Sequence, residues 1–508
     1  MDKFGGAISS AARPLDLARP VIVEPGFAPL ETLPASISVQ KAYYVTLQPN
    51  TAAVNCTAGN KLRFDIPADS ASFLDLASSY IIIRANVTTS VGGNLVVGKS
   101  VSLKENFPQL LFGSGMRLSV NSVDVSDQVG LEGHAASFYK DLLFGKRDRF
   151  AGQKQLYTSG AGTGASSIGG GIGADLECIN LTQAGELGDV VPIGTANNPT
   201  SNDFVTVMPS NSGAYYRAAL FQGAAVNDFE TLLRPALAVW RQPGFLPPGT
   251  AVSLEITRAS SDTLPLFSAV TDIPRINLTG ATLYVRRVFP TPAAHEAAAS
   301  AIASYGSFRY PMLWARSSLT AIPQSTSTSL SGVLVGVVPD LVILAVAANQ
   351  AWGGSMRQNP YYTARTFDAN PAGAAVALTV TSLFVEVGGQ RYPATDPYST
   401  DSAAGTYLGG ARAYLDYLAA SGRDLWSEDE APISYKQWRD TYRFYVVCLR
   451  DDNENMIGRA TDDERTGRVD VSLQFGAAPV AASLYTLGLS HAEMRVHADR
   501  RVEVLQKL

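Results

Sequence analysis

The chain has 508 residues, of which 46% are apolar and 17% charged, with a net charge of −5 at neutral pH. So apolar a chain folds fully, which excludes a disordered chain, and the acidic balance provides no general basic field to draw in nucleic acid. The length exceeds one ordinary core and predicts two large domains or three small ones.

In chain order, residues 1–34 come first, with prolines at 14, 20, 25, 29 and 34 and no sustained periodicity. Proline fixes φ and removes a donor, so this segment reads as an extended arm. From about residue 36 the runs "SISVQKAYYVTL", "KLRFDIP" and "SYIIIRANVTT" are β-branched and aromatic, bounded by Pro, Gly and Asn, and predict strands. "MRLSVNSVDVSD" alternates about Asn121-Ser122, the pattern of a tight hairpin. "GHAASFYKDLLFGK" changes to helical spacing, with Ala135, Phe138, Leu142 and Leu143 on one side. The Gly-rich stretch at 158–175 is followed by no Lys-Ser/Thr and is not framed by a strand-to-helix junction. It reads as a surface loop rather than a phosphate cradle, and polar loop sequence continues to about residue 214. Strands resume with "LLRPALAVWRQ" and "TAVSLEITRAS".

A similar order follows. "ATLYVRRVFP" is a strand and "PAAHEAAASAIAS" an Ala-rich helix. "FRYPMLWARSSLTAI", "SGVLVGVV" and "DLVILAVAAN" are strands, and "SLFVEVGGQRYP" is a hairpin turned by Gly388-Gly389. "LGGARAYLDYLAASG" is a helix with Tyr414, Leu415 and Leu418 on its apolar side and Gly422 just past its end. "TYRFYVVCLRDD", "VDVSLQFGAAP" and "AASLYTLGLSHAEMRV" complete the strands.

Four elements recur in one order: an apolar strand (Ile81–Ile83; Val342–Leu344), a hairpin roughly 40 residues later, a short helix, and a closing Val-Ser-Leu strand at 252 and 471. The offset between the halves shrinks from about 265 residues at the hairpins to 219 at the Val-Ser-Leu strands, as expected if the first half carries a long extra loop. The reading is all-β: two tandem antiparallel sandwiches of jelly-roll size with a few short helices. The expected division is an arm at 1–34, a first sandwich at 35–272 with an insertion at about 150–214, and a second sandwich at 273–508.

No catalytic constellation is apparent, and no catalytic, cofactor-binding or metal-binding residue is assigned. The histidines are His134, His295, His491 and His497. His491 and His497 share a strand face but lie about 20 Å apart, too far to share a metal, and His295 reads as exposed on the Ala-rich helix. There is no G-x-S-x-G elbow and no H-E-x-x-H. The acidic "SEDE" (427–430) and "DDER" (462–465) read as solvated loops ahead of a carboxylate pair or a calcium site. "GKRDRF" (145–150) reads as an exposed helix end ahead of a contact with packaged DNA. Cys56, Cys178 and Cys448 are odd in number and far apart, so neither a disulfide framework nor a zinc cluster is expected. The first twenty residues lack a signal-peptide core, and the most apolar stretch is broken by Pro339 and Asp340, leaving runs too short to span a bilayer. A soluble intracellular product is expected, with the sequons at Asn55, Asn86, Asn180 and Asn277 left unglycosylated. Lys is absent between Lys154 and Lys436 while Arg continues, which fits either extensive interface burial or codon bias.

The order of "SFLDLASSYIIIRANVTT", "VSLKENFPQLLFGSGMRLSVNSVDVSD", "GFLPPGTAVSLEITRASSD" and "GATLYVRRVFPTPAAHEAA" resembles the major capsid proteins of adintoviruses and Polinton-type elements. So does the later order of "RQNPYYTARTFD", "SLFVEVGGQRYP", "GARAYLDYLAASGRDLWSEDEAPISYKQW" and "VHADRRVEVL", and together these cover roughly residues 36–505. The sequence departs from the family at its first hairpin, which usually turns on Asn-Gly, and in the Gly-rich insertion. The resemblance implies a double jelly roll and a non-enzymatic major capsid protein, with homotrimeric pseudo-hexagonal capsomers tiling the icosahedral shell of a DNA virus. Implied partners are further copies of the chain, neighbouring capsomers, minor capsid and penton proteins, and packaged double-stranded DNA on the inner face. No cofactor is implied, and the location is the virion. A minor or vertex capsid protein usually needs one jelly roll only. A carbohydrate-binding double sandwich needs aromatics and carboxylates converging on an exposed loop face, and a hydrolase has least support.

Overall fold

A computed structural model describes residues 38–127, 225–354, 378–399, 443–449 and 466–506 with brief gaps, and isolated pieces between 133 and 138, at 191–192, 207–208 and 366–376, at 410–420, and at 435 and 438. In the first half eight strands form two antiparallel sheets. They are β1 (Val39–Leu47), β2 (Lys61–Ile66), β3 (Phe73–Thr88), β4 (Gly115–Val120), β5 (Val123–Asp124), β6 (Phe229–Leu233), β7 (Val252–Thr257) and β8 (Arg275–Pro290). One sheet runs β1-β8-β3-β6 and the other β2-β7-β4-β5. In β7 the pattern is strictly alternating: Val252, Leu254 and Ile256 are buried, while Ser253, Glu255 and Thr257 face outward. Leu254 sits in register between Phe64 and Leu118, so three core side chains meet across three strands.

The second half repeats the plan with β9 (Ser307–Ile322), β10 (Ser327–Val337), β11 (Leu341–Ala348), β12 (Val380–Val387), β13 (Gln390–Tyr392), β14 (Tyr445–Cys448), β15 (Thr466–Phe475) and β16 (Ala482–His497). Its sheets run β9-β16-β11-β14 and β10-β15-β12-β13. Counted from the start of each half, both read 1-8-3-6 and 2-7-4-5. A further strand, β17 (Val502–Gln506), folds back on the end of β16.

Both predicted hairpins are present. Asn121 and Ser122 have φ of 48° and 69°, and Gly388 and Gly389 have 58° and 83°. Positive φ at both central residues is the turn whose twist matches paired strands. Helix α1 (Pro292–Tyr305) joins the halves. Thr291 accepts from the amide of Ala294, proline opens the first turn, and Gly306 in the left-handed region closes the last with its amide on Ile302.

Three details differ from the sequence expectation. The Val-Ser-Leu strands are seventh of eight, and β8 and β16 close the rolls. Strand β8, placed by sequence at the head of the second sandwich (273–508), hydrogen-bonds between β1 and β3 and so belongs to the first. An eighth strand must return to the sheet holding the first, and that long-range pairing leaves no local mark. In "LLRPALAVWRQ" only the start is strand, and Ala238–Arg241 is a short helical turn carrying buried Trp240.

Burial is uneven across the four sheets. In β11 all eight residues are buried, as are the first eight of β16, so the sheet they form is covered on both faces. This explains the unbroken apolar run "LVILAVAA", since a strand covered on both faces has no solvent side to mark with polar residues. Among the described residues no helix is long and apolar enough to cross a membrane.

Candidate assembly site

One face of the doubly covered sheet packs against β10-β15-β12-β13, and the other meets residues contributed by the first half. Phe138 stacks on Tyr485 with ring centroids 5.4 Å apart and meets Phe444 edge-on at 6.0 Å. His134 lies edge-on to Trp352 at 5.2 Å and to Tyr485 at 6.2 Å. Leu110 and Ala135 join the same core. Trp352 is fixed in turn by an indole hydrogen bond to the Ser483 carbonyl at 3.2 Å, and the Ser483 hydroxyl reaches Asn349 at 2.6 Å. Helix α2 (Gly410–Ala420) adds buried Ala413, Tyr414, Tyr417 and Leu418 beside β14. The result is an aromatic seam in which His134, Phe138, Phe444 and Tyr485 meet edge-on or stacked, the arrangements aromatic pairs favour.

The second half reciprocates. The first eight residues of β9 and the last eight of β16 extend past their own roll, and β17 pairs with that extension. Tyr310, Met312, Trp314, Ala492, Met494, Val496 and Val502 belong to the core of the first half. Polar contacts bind the overlap. The Tyr310 hydroxyl donates to the Phe245 carbonyl at 2.9 Å, and the Asn121 amide donates to the Arg500 carbonyl at 2.9 Å. Asp127 accepts from the amide of Ala238 at 3.0 Å and from that of Ala315.

Burial shapes the electrostatics of the seam. His134 is fully enclosed, and desolvation, aided by the charge of buried Lys104, lowers its pKa from 6.5 to about 3. A hydrogen bond with the Trp352 backbone works the other way but is the smallest of the three effects. The ring is therefore neutral at physiological pH. Burial also pushes the Tyr310 hydroxyl well above its ordinary range. Tyr398 is raised by burial and by Asp416, whose carboxylate accepts from its hydroxyl at 2.5 Å.

The other histidines do not converge. His491 pairs with Asp340 at 2.9 Å and His497 with Glu503 at 3.2 Å, both on one face of β16, while His295 is exposed on α1. Among the described residues no group of three or more His, Cys, Asp or Glu is placed to hold a metal ion. Cys56 is buried and free, its thiol pKa raised by burial, and Cys448 is half-buried. The arm, Cys178, "GKRDRF", the Gly-rich stretch and the acidic clusters at 427–430 and 462–465 lie outside the described residues. Sequence reasoning set His134 aside and did not find the seam. The available signal was the loss of alternation in "LVILAVAA" and "ASLYTLGL", which marks a sheet with two buried faces.

No family model and no curated protein matches the chain. Among solved structures, a chain from the 3.5 Å cryo-EM structure of the Sputnik virophage matches with a TM-score of 0.57. It is 12% identical, with 96% of this chain and 93% of that one covered. The fold is a double jelly roll. The Faustovirus major capsid protein is 10% identical at a TM-score of 0.49, covering 95% and 94% of the two chains. The mavirus major capsid protein is 12% identical at 0.43, covering 96% and 95%. Identities this low make the likeness one of fold.

Proposed function

We propose that the chain is the major capsid protein of an icosahedral DNA virus, a structural subunit whose work is burying surface. The observation that carries this reading is the joining of two complete eight-strand rolls by the β9-β16-β17 extension and the aromatic seam, each roll supplying residues to the other's core. Joined side by side, two rolls let three chains present six similar edges, a pseudo-hexagonal tile built from a threefold. The Sputnik match, drawn from a virus particle and spanning nearly the whole of both chains, supports the same reading. The finer kinship with adintovirus and Polinton-type capsid proteins rests on the ordered stretches quoted above. Strand pairing supports a division with the first roll ending at Pro290, α1 as the connector, and the second roll from Ser307 onward.

In this reading the chain trimerises, and trimers then dock edge to edge with minor capsid and penton proteins. The arm at 1–34 lashes neighbours together, and the inner face meets packaged DNA. The chain is made as a soluble protein, serves as a virion component and carries no catalytic, cofactor or metal site. Sedimentation of the purified protein tests this. A particle of three chains of 53.9 kDa, roughly 160 kDa, with a hexagonal outline in negative stain is expected. A stable monomer at high concentration contradicts it, since obligate subunits with large apolar interfaces do not persist alone. The role of the arm fails if deleting residues 1–34 leaves shell assembly and shell stability unchanged.

A further inference from the structure

We propose that the free edge of β1 is extended by a strand from a neighbouring copy, formed by residues 21–24 of that copy's arm. This rests on the reading of the arm as a link between copies, and names where it lands and what holds it. The sheet order β1-β8-β3-β6 leaves one side of β1 without a strand among the described residues. Such an edge is a row of unpaired amides and carbonyls, which folded proteins blunt with charge, proline, bulges or covering groups. The corresponding edge of the second roll is blunted in this way. Strand β9 contains Pro311. Its Arg316 donates to the carbonyl of Val335 at 2.9 Å and to that of Val337, and its Ser318 donates to that of Val333 at 2.6 Å. Strand β10 itself is irregular between Leu330 and Leu334. By contrast β1 has no proline and a single charge, Lys41, and its pairing with β8 is regular from Lys41 to Leu47.

The flanks of β1 suit an added strand. Residues 40–44 are exposed in succession, so neither face is covered at this end. Tyr43 and Tyr44 are each 45% exposed and point to opposite faces, Tyr43 stacked on Phe289 at 5.4 Å and Tyr44 tilted on Tyr80 at 5.6 Å. Successive side chains of an added strand alternate between the same two faces and meet a ring on each. Lys41 lies over the Phe289 ring at 4.5 Å and forms no ion pair among the described residues. A carboxylate opposite it would complete the edge.

The sequence ahead of β1 holds one run with these properties. Val21, Ile22 and Val23 are the only three consecutive β-branched residues there, and Glu24 follows them. Antiparallel pairing of Glu24 with Lys41 sets Val23 opposite Ala42, Ile22 opposite Tyr43 and Val21 opposite Tyr44. Pro20 and Pro25 bracket the run, favouring extended backbone at Arg19 and Glu24 and blunting the new edge against further addition. The link back to β1 carries Pro25, Pro29 and Pro34. A proline-rich link is a semi-rigid spacer of about 3.1 Å per residue, so residues 25–37 span about 40 Å. That stiffness works against a return to the chain's own β1 and directs the run to another copy.

Two measurements on the full chain test this. Benzoylphenylalanine at Ile22 is photolysed in a mixture of isotopically light and heavy protein, and the cross-linked peptides are read by mass spectrometry. Cross-links to residues 39–47 that join light to heavy chains are expected. Cross-links to 39–47 within single chains only, or cross-links confined to other segments, overturn the proposal. The second measurement is hydrogen exchange of residues 39–47. Ile22→Pro, which removes a donor, should speed exchange there by at least about tenfold, and Ile22→Val, which keeps a strand former, should leave it unchanged. Equal exchange in the wild type and Ile22→Pro overturns the proposal, with circular dichroism establishing that the variant folds. A wild-type protein that sediments as three chains but gives neither result overturns this inference and leaves the capsomer reading standing. A wild-type protein that stays monomeric overturns both.

Discussion

Acid should loosen the seam through His134. Its ring is neutral in the folded chain because its pKa is lowered from 6.5 to about 3, chiefly by burial and secondarily by Lys104. In the unfolded chain the imidazole titrates near its ordinary value, so between pH 6.5 and 3 the unfolded state binds the extra proton. Stability from this group is therefore complete above about pH 6.5 and falls as pH drops through that window. Each pH unit is worth about 1.4 kcal/mol, so at pH 5 the loss is about 2 kcal/mol, approaching about 5 kcal/mol near pH 3. The assay compares urea unfolding of the wild type and His134→Phe at pH 7.5 and pH 5. Phenylalanine keeps an aromatic ring between Trp352 and Tyr485 and cannot take up a proton. Carboxylates elsewhere titrate equally in both proteins and cancel in the difference. The wild type should lose about 2 kcal/mol more than the variant between the two pH values. Equal losses would refute the assignment of acid sensitivity to this ring.

Three further outcomes follow from packing and turn geometry. The Arg258 side chain is 3% exposed and bonds to Asp262 at 2.5 Å and to the carbonyls of Cys56 and Ile276 at 2.6 Å each, so Asp262→Ala strands a buried cation. It should cost about 3–5 kcal/mol in chemical denaturation. In the first Val-Ser-Leu strand, Leu254→Ala should cost about 2–5 kcal/mol because Leu254 is fully buried. Ser253→Ala, which removes only an exposed hydrogen bond to Asp65, should cost under about 1 kcal/mol, and similar losses from the two would show that the faces are misassigned. Ser122→Gly should raise stability by about 1 kcal/mol, seen as a higher melting temperature, because Ser122 holds φ at 69° where a side chain is strained.

Repetition in a single sequence was enough to find two rolls because two of the repeated features are set locally. A turn with positive φ at both centres needs residues such as Asn121-Ser122 or Gly388-Gly389, and a strand with one buried face needs the alternation of Val252-Ser253-Leu254 and Val471-Ser472-Leu473. The closing strands escaped the same reading. β8 follows a loop and reads as a fresh start, yet its partners Ala42–Leu47 and Phe73–Thr88 lie about 200 residues earlier, and pairing at that range has no period to detect. The seam escaped for the opposite reason. "LVILAVAA" is apolar throughout, which shows burial on both faces without saying which neighbour provides the second.

That unresolved neighbour also decides how far the two rolls are separate domains. Strands β9 and β16 are paired along all 16 residues, but only one end of each lies in the second roll's core; the other end supplies Tyr310, Met312, Trp314, Ala492, Met494 and Val496 to the first. Leu110, Ala135 and Phe138 make the return contribution. A chain cut within α1 would leave the first core without its β9-β16-β17 cover and the second without the rings that close its sheet. Independent domains keep their cores to themselves and touch through modest, more polar surfaces. Here the duplication is visible in strand order while the burial is shared, so the folding unit is the pair of rolls, tied together by the long strands that run through both.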